Sequence, residues 1–149
     1  MVKLQEAENQ IITGYEVYAQ RPYDSDLLIP AIDTHCALLG VLHLVAADAA
    51  FYSARNEAAA KANGVKRVCI QNRSTKSLER KREQKKRWFR SGQKWRTGCE
   101  GRDSVVKRRH GLSRCHYKGP DGMERWVGFG VIADNLINIG RAMEETAEP

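Results

Sequence analysis

From Ile11 to Gln20 β-branched and aromatic residues alternate with polar ones, a pattern that predicts a strand. Pro22, Asp24 and Ser25 then supply turn and N-cap chemistry. Leu27, Leu28, Ala31, Ile32, Cys36 and Leu39 recur at helical spacing, and Gly40 closes that helix. Pro30 must lie near its first turn, where a missing N–H costs least. Val41 to Ala47 is apolar except for His43, as expected of a strand buried on both faces, and it ends on Asp48. An alanine-rich helix follows over about Ser53 to Ala62, stopped by Asn63-Gly64, and Val65 to Ile70 predicts another short strand. The order strand, helix, strand, helix, strand favours an α/β sheet with parallel neighbours.

The second half differs in kind. Asn72 to Lys94 is polar and basic, with Trp88 and Phe89 near its end. Thr97 to His110 predicts a helix stopped by Gly111. A Gly-Pro-Asp-Gly turn at residues 119–122 leads into a last helix, about Met123 to Met143, with an apolar stripe of Trp126, Phe129, Ala133, Leu136 and Met143. Gly128, Gly130 and Gly140 allow close packing against a sheet, or mark the first part of the segment as strand.

Composition narrows the class. The 149 residues are 42% hydrophobic and 29% charged, one domain's worth of soluble globular chain. No apolar stretch approaches the ~20 residues of a membrane helix. The first eight residues hold no signal-peptide core, so a cytoplasmic location and no membrane partner are expected. Charge changes the picture more. Between Lys66 and Lys118 stand 19 basic and 4 acidic residues, a balance of +15, against −8 for the rest of the chain. Such a block points to a polyanionic partner or to a solvated helix face, and charge alone does not decide. Cys36, Cys69, Cys99 and Cys115 form no Cys-x-x-Cys pair. A zinc site from Cys99, His110, Cys115 and His116 has no familiar spacing, and reduced single cysteines are expected.

Two groups of residues carry candidate chemistry. Asp48 stands where an apolar strand ends, the place where open α/β sheets bind ligands, although an aspartate there also caps turns. Arg96, Glu100, Asp103, Lys107 and His110 recur at steps of four and three and share one face of a continuous helix. As a solvent-facing stripe they would form pairs worth ~0.3–0.5 kcal/mol each. Inside the basic block, two carboxylates from different elements instead fit phosphoryl transfer with hard divalent ions, which take oxygen ligands and share substrate phosphates.

The residues resemble a known family. Arg96-Thr-Gly-Cys-Glu100-Gly-Arg-Asp-Ser-Val-Val-Lys107 is similar to the signature around the last acid of bacterial insertion-sequence transposases of the DDE type: Tyr, two residues, Arg, three, Glu, six, Lys. Val45-Ala-Ala-Asp48-Ala-Ala-Phe-Tyr-Ser53 resembles the second-acid motif, and Gly122 to Arg141 resembles the C-terminal helix. Gln93 stands at the signature's tyrosine position, Ala49-Ala50 replaces the usual Arg-Gly, and neither Glu6 nor Glu8 is the first aspartate that the pattern expects.

The resemblance implies an RNase H-like mixed α/β sheet flanked by helices, incomplete at its N-terminus. Residues 1–149 are then the C-terminal portion of a DDE catalytic domain, with a basic insertion at about 72–95. It implies Mg²⁺ (or Mn²⁺) held by Asp48 and Glu100 as catalytic acids. DNA, both element ends and target, would be held by Arg96, Lys107, Arg108, Arg109, Lys85, Lys86 and Arg87. The complete enzyme would cleave and transfer DNA strands, with homo-oligomers possible, whereas this chain is expected to be truncated and inactive alone. The rival reading is a non-catalytic basic domain that binds nucleic acid, with Trp88, Phe89 and Trp95 as stacking candidates and core packing expected more for Trp95 than for Trp88. An RNase H-like nuclease or resolvase shares the acids without the Arg-Glu-Lys spacing.

Overall fold

The computed structural model describes residues 1–147, with the side chains of Arg102, Asp103 and Ala147 outside the description. The chain divides into two compact units, residues 22–98 and residues 1–21 together with the chain from Cys99 onward.

In the unit of residues 22–98, a 3-10 turn at Asp24–Leu27 leads into helix α1 (Leu28–Leu39), which ends at Gly40 with a φ of 89°. Pro30 sits in the first turn of α1, as its missing N–H requires. Strands β3 (Leu44–Ala47) and β4 (Arg67–Ile70) pair in parallel, with Val45 opposite Val68 and Ala47 opposite Ile70. Helix α2 (Ala54–Ala62) makes the crossover between them. The Ser53 hydroxyl accepts the Asn56 N–H at its start, and Gly64 takes a φ of 87° just beyond its end.

Side chains alternate across the two strands, so Val45, Ala47, Val68 and Ile70 share one face. There they pack with Leu28 and Ile32 of α1 and Ala60 of α2. The opposite face carries Cys69, and against it lies the start of helix α4 (Arg87–Arg109). This is a helix–sheet–helix sandwich. β3 is half-buried along its length, whereas Val68, Cys69 and Ile70 of β4 are buried. The expectation of a β3 buried on both faces is thereby corrected: its only strand neighbour among the described residues is β4, and Val41, at the front of the apolar run, lies exposed in the loop.

The short helix α3 (Leu78–Gln84), capped by Ser77, lies in the basic segment and delivers Arg80 into the interior. Its guanidinium donates to Glu57 Oε1 and Glu83 Oε2, both at 3.0 Å, and to the Ile70 carbonyl at 2.8 Å. The plane also lies over the rings of Tyr52 and Phe89. α4 begins ten residues before the helix expected at Thr97.

In the other unit, β1 (Val2–Glu6) and β2 (Ile12–Val17) form an antiparallel hairpin. Asn9 and Gln10 both take positive φ, 57° and 61°, as a tight primed turn between such strands demands. The expected Ile11–Gln20 strand is therefore present as β2, paired with β1 rather than with β3. Helix α5 (Gly119–Ala147) packs on this hairpin through Val127 and Val131, which join Ile12 and Val106. The whole Gly119–Ala147 segment is helix. Gly128 permits the contact, since a Cβ there would stand 2.5 Å from the Tyr15 hydroxyl. The apolar stripe expected to pack is corrected in part: Phe129, Leu136 and Met143 are exposed, and the buried face instead runs through Val127, Val131, Asp134 and Asn138. No described helix is long and apolar enough to cross a membrane.

Packing at the α4–β4 contact is tight enough to test. A Cβ on Gly92 would stand 2.7 Å from Cys69 Sγ. Gly92→Ala is expected to cost ~1–3 kcal/mol in urea unfolding, because a packed interior yields poorly to an added methyl. Cys69→Ala in the same chain should recover part of that loss, so the double variant is more stable than additivity of the two single changes allows.

A strand-end carboxylate beside the signature helix

Asp48 follows the last residue of β3 and precedes a 3-10 turn at Ala49–Phe51. Its Oδ1 accepts the Ala49 N–H at 2.7 Å, and the carboxylate is about half exposed (53%). The strand carries it to the carboxyl edge of the sheet, and the turn keeps it at the surface.

The signature helix is delivered to the same place by α4. Gly92 lets the helix backbone approach β4. One residue on, Gln93 donates its Nε2–H to the Cys69 carbonyl at 2.8 Å. Cys69 in turn donates its thiol to the Phe89 carbonyl at 3.1 Å. One helical turn beyond Gln93, Arg96 Nη1 stands 3.8 Å from Asp48 Oδ1, at the outer limit of an ion pair. Burial pushes the Cys69 thiol above its ordinary value of 9.0, so it is a packing group and not a nucleophile at neutral pH.

Asp48 and Arg96, expected from the sequence to serve one site, are thus brought together within one unit. Glu100, exposed on α4, belongs to the other unit, as do Lys107, Arg108 and Arg109, which are exposed in the last turn of α4. Cations there also complement the helix C-terminus. Lys85, Lys86 and Arg87 are exposed at the junction of α3 and α4. The Asp103 side chain lies outside the described residues. His110 leaves the expected stripe: it follows the end of α4, and its Nε2 stands 3.2 Å from Asp134 Oδ1.

The stacking candidates separate in the reverse of the expected sense. Phe89 is buried and Trp95 is partly exposed, while Trp88 meets Phe89 edge-to-face with the Arg67 guanidinium 5.5 Å from its ring centre. Of the candidate zinc ligands, Cys99 faces Glu6, Cys115 faces the Tyr117 carbonyl and His116 packs on Trp126. Among the described residues no group of three or more His, Cys, Asp or Glu gathers in metal-binding geometry. Asp48 offers an accessible carboxylate, the ligand type a hard dication takes, and such ions keep several waters and need only one or two carboxylates.

Sequence reasoning missed Gln93, noticed only as a departure from the signature, and Arg80, one cation among many. A Gly-Gln pair preceding the signature arginine was the available signal.

The geometry predicts that Asp48 contributes little to folding. Asp48→Asn keeps an acceptor for the Ala49 N–H and should change unfolding free energy by less than ~0.5 kcal/mol, since the pair with Arg96 is long and the carboxylate is half exposed. Asp48→Ala loses the acceptor and should cost ~1 kcal/mol in the same denaturation measurement.

A family model described as a transposase DDE domain matches residues 54–139, which span Arg96, Glu100 and Lys107 and begin just after Asp48. Neither the curated proteins nor the solved structures yield a match. The α/β architecture is consistent with the RNase H-like fold that the signature implies. With more than half of its length matched, the chain belongs to the transposase DDE domain family.

Proposed function

We propose that residues 1–149 are the C-terminal portion of the catalytic domain of a bacterial insertion-sequence transposase, a cytoplasmic DNA-handling protein. In it Asp48 and Glu100 are the second and third catalytic acids. The observation that carries the reading is the Asp48–Arg96 contact at 3.8 Å, which sets the signature arginine beside a strand-end carboxylate. The family match over Arg96, Glu100 and Lys107 supports it independently.

Asp48 and Glu100 would hold Mg²⁺ or Mn²⁺, which when bound activates an attacking oxygen and stabilises a leaving one on DNA. The chain's own cations do the rest. Arg96 and Lys107 hold phosphates of element ends and target near the acids, while Lys85, Lys86, Arg87, Arg108 and Arg109 add sequence-independent attraction.

Within these residues the acids in the first 21 positions are Glu6, Glu8 and Glu16, and none supplies the strand-borne aspartate of the pattern. The 149-residue chain by itself is therefore proposed to bind DNA without cutting it, and homo-oligomers would belong to the complete enzyme. A non-catalytic nucleic-acid-binding role is the second reading, favoured by the exposed Lys85, Lys86 and Arg87 and the partly exposed Trp95.

Two measurements test this. Duplex affinity should be sequence-tolerant and fall steeply with salt, and replacing Lys85, Lys86 and Arg87 with Ala should weaken all sequences alike, lowering the salt slope by about 3. Salt-insensitive binding, or a loss confined to one sequence, contradicts the phosphate role. In a supercoiled-plasmid assay with Mg²⁺ or Mn²⁺ the chain should not nick DNA. Nicking abolished by Glu100→Gln would show that the chain supplies a full set of acids and would overturn the incomplete-site reading.

A further inference from the structure

Between the end of α4 and the start of α5 runs a cationic loop whose aromatic residues have no part in the acid-centred site. From Lys107 to Lys118 the sequence holds Lys107, Arg108, Arg109, Arg114 and Lys118 and no acid. His116 and Tyr117 are both exposed, Tyr117 by 49%. They lean against Trp126 of α5, with ring centres 5.1 and 5.7 Å away and planes tilted by 58° and 57°. Such tilted contacts join rings without covering a face as a stacked partner does.

The neighbours of Tyr117 fix its place. A Cβ on Gly122 would stand 2.7 Å from the Tyr117 Cβ, so the first turn of α5 presses directly on it. The Cys115 thiol donates to the Tyr117 carbonyl at 3.4 Å and reaches the Gly122 carbonyl at 3.9 Å. A residue that served only to fill the core would be drawn out of water with its ring. Here the backbone is held against the helix while the ring stays in solvent, between the exposed cations Arg114 and Lys118.

We propose that Tyr117, backed by His116 and Trp126, is a stacking platform for an unpaired base of single-stranded DNA, with Arg114 and Lys118 holding the phosphates on either side. Charge selects a polyanion, and the exposed ring selects among polyanions. Duplex DNA keeps its bases stacked on one another and meets such a loop with phosphates alone, whereas an unpaired base offers a free π-face. The site lies in a different unit from Lys85, Lys86 and Arg87, so the two contributions separate by substitution. It rests on the DNA-binding reading above and adds to it a preference for strand form.

Fluorescence anisotropy of the full chain tests it with three labelled probes. These are an oligothymidylate of about twelve nucleotides, the same strand with its bases replaced by abasic sites, and a duplex of equal length. The base-bearing strand should bind more tightly than the abasic one by roughly fivefold or more, the least that one stacked base contributes. Tyr117→Leu keeps an apolar side chain against Trp126 and should abolish that contrast, whereas Tyr117→Phe should keep it. Photo-crosslinking the unaltered chain to a strand carrying 5-iodouracil decides the matter if the leucine variant fails to fold, since the adduct should map to His116 or Tyr117. Equal affinity for the base-bearing and abasic strands, a contrast unchanged by Tyr117→Leu, or adducts confined to Trp88 or Trp95 would overturn the proposal while leaving duplex binding intact. Failure to bind any of the three probes would overturn it together with the DNA-binding reading.

Discussion

The placement of Asp48 beside the signature helix depends on one close approach, that of the α4 backbone at Gly92 to the Cys69 side chain of β4. No other residue leaves room for the sulfur there, as the 2.7 Å distance from a would-be Cβ shows. Once the helix lies that close, Gln93 reaches the Cys69 carbonyl, and the thiol of Cys69 reaches the Phe89 carbonyl. Helix and strand are tied by side chain to backbone in both directions. The helical repeat then sets Arg96 one turn further along, over the end of the neighbouring strand, where Asp48 stands. Gln93, at the tyrosine position of the signature, holds the helix by a hydrogen bond within the sandwich.

The other unit is fastened by different means. Its hairpin is short and its apolar core small, and polar side chains of α5 complete it. Asn135 accepts the Ile12 N–H and donates to the Ile12 carbonyl, both at 2.8 Å, filling the bonds that a further strand would make. Asn138 donates to the Gln10 carbonyl in the tight turn and to Asp134, whose other oxygen faces His110. A buried network of this kind is stabilising only while every member has its partner. It fixes the register of helix against hairpin where a purely apolar contact would allow sliding.

How much of this was legible in the sequence follows from the kind of force at each place. Strands β3 and β4 and the Ala-rich α2 were readable because burial imposes an apolar pattern directly. So was Asp48, a lone carboxylate where such a pattern stops. The start of α4 was hidden, because Gly92 and a crowd of cations depress its intrinsic helicity, and packing on β4 supplies what propensity does not. β1 was missed because Lys3, Gln5 and Glu6 give it little apolar signal, while Lys3 is buried against Glu16 of β2 at 2.7 Å. The buried face of α5 was misread for a related reason: Asp134 and Asn138 look like solvent-facing residues until their partners are known. Arg96, Glu100 and Lys107 were singled out only through a family signature, since their spacing alone equally describes a solvated stripe.

We propose that Asp48 and Glu100 serve one metal-dependent DNA site. Titration of the full chain with Mn²⁺ in the presence of a short duplex, followed by electron paramagnetic resonance of the free ion, tests it most directly. The account predicts saturable binding that Asp48→Asn and Glu100→Gln each weaken, with the double change no worse than the more severe single one, as expected of ligands acting as a unit. Binding isotherms unchanged by either substitution, or losses that simply add as for two independent surface sites, would contradict it.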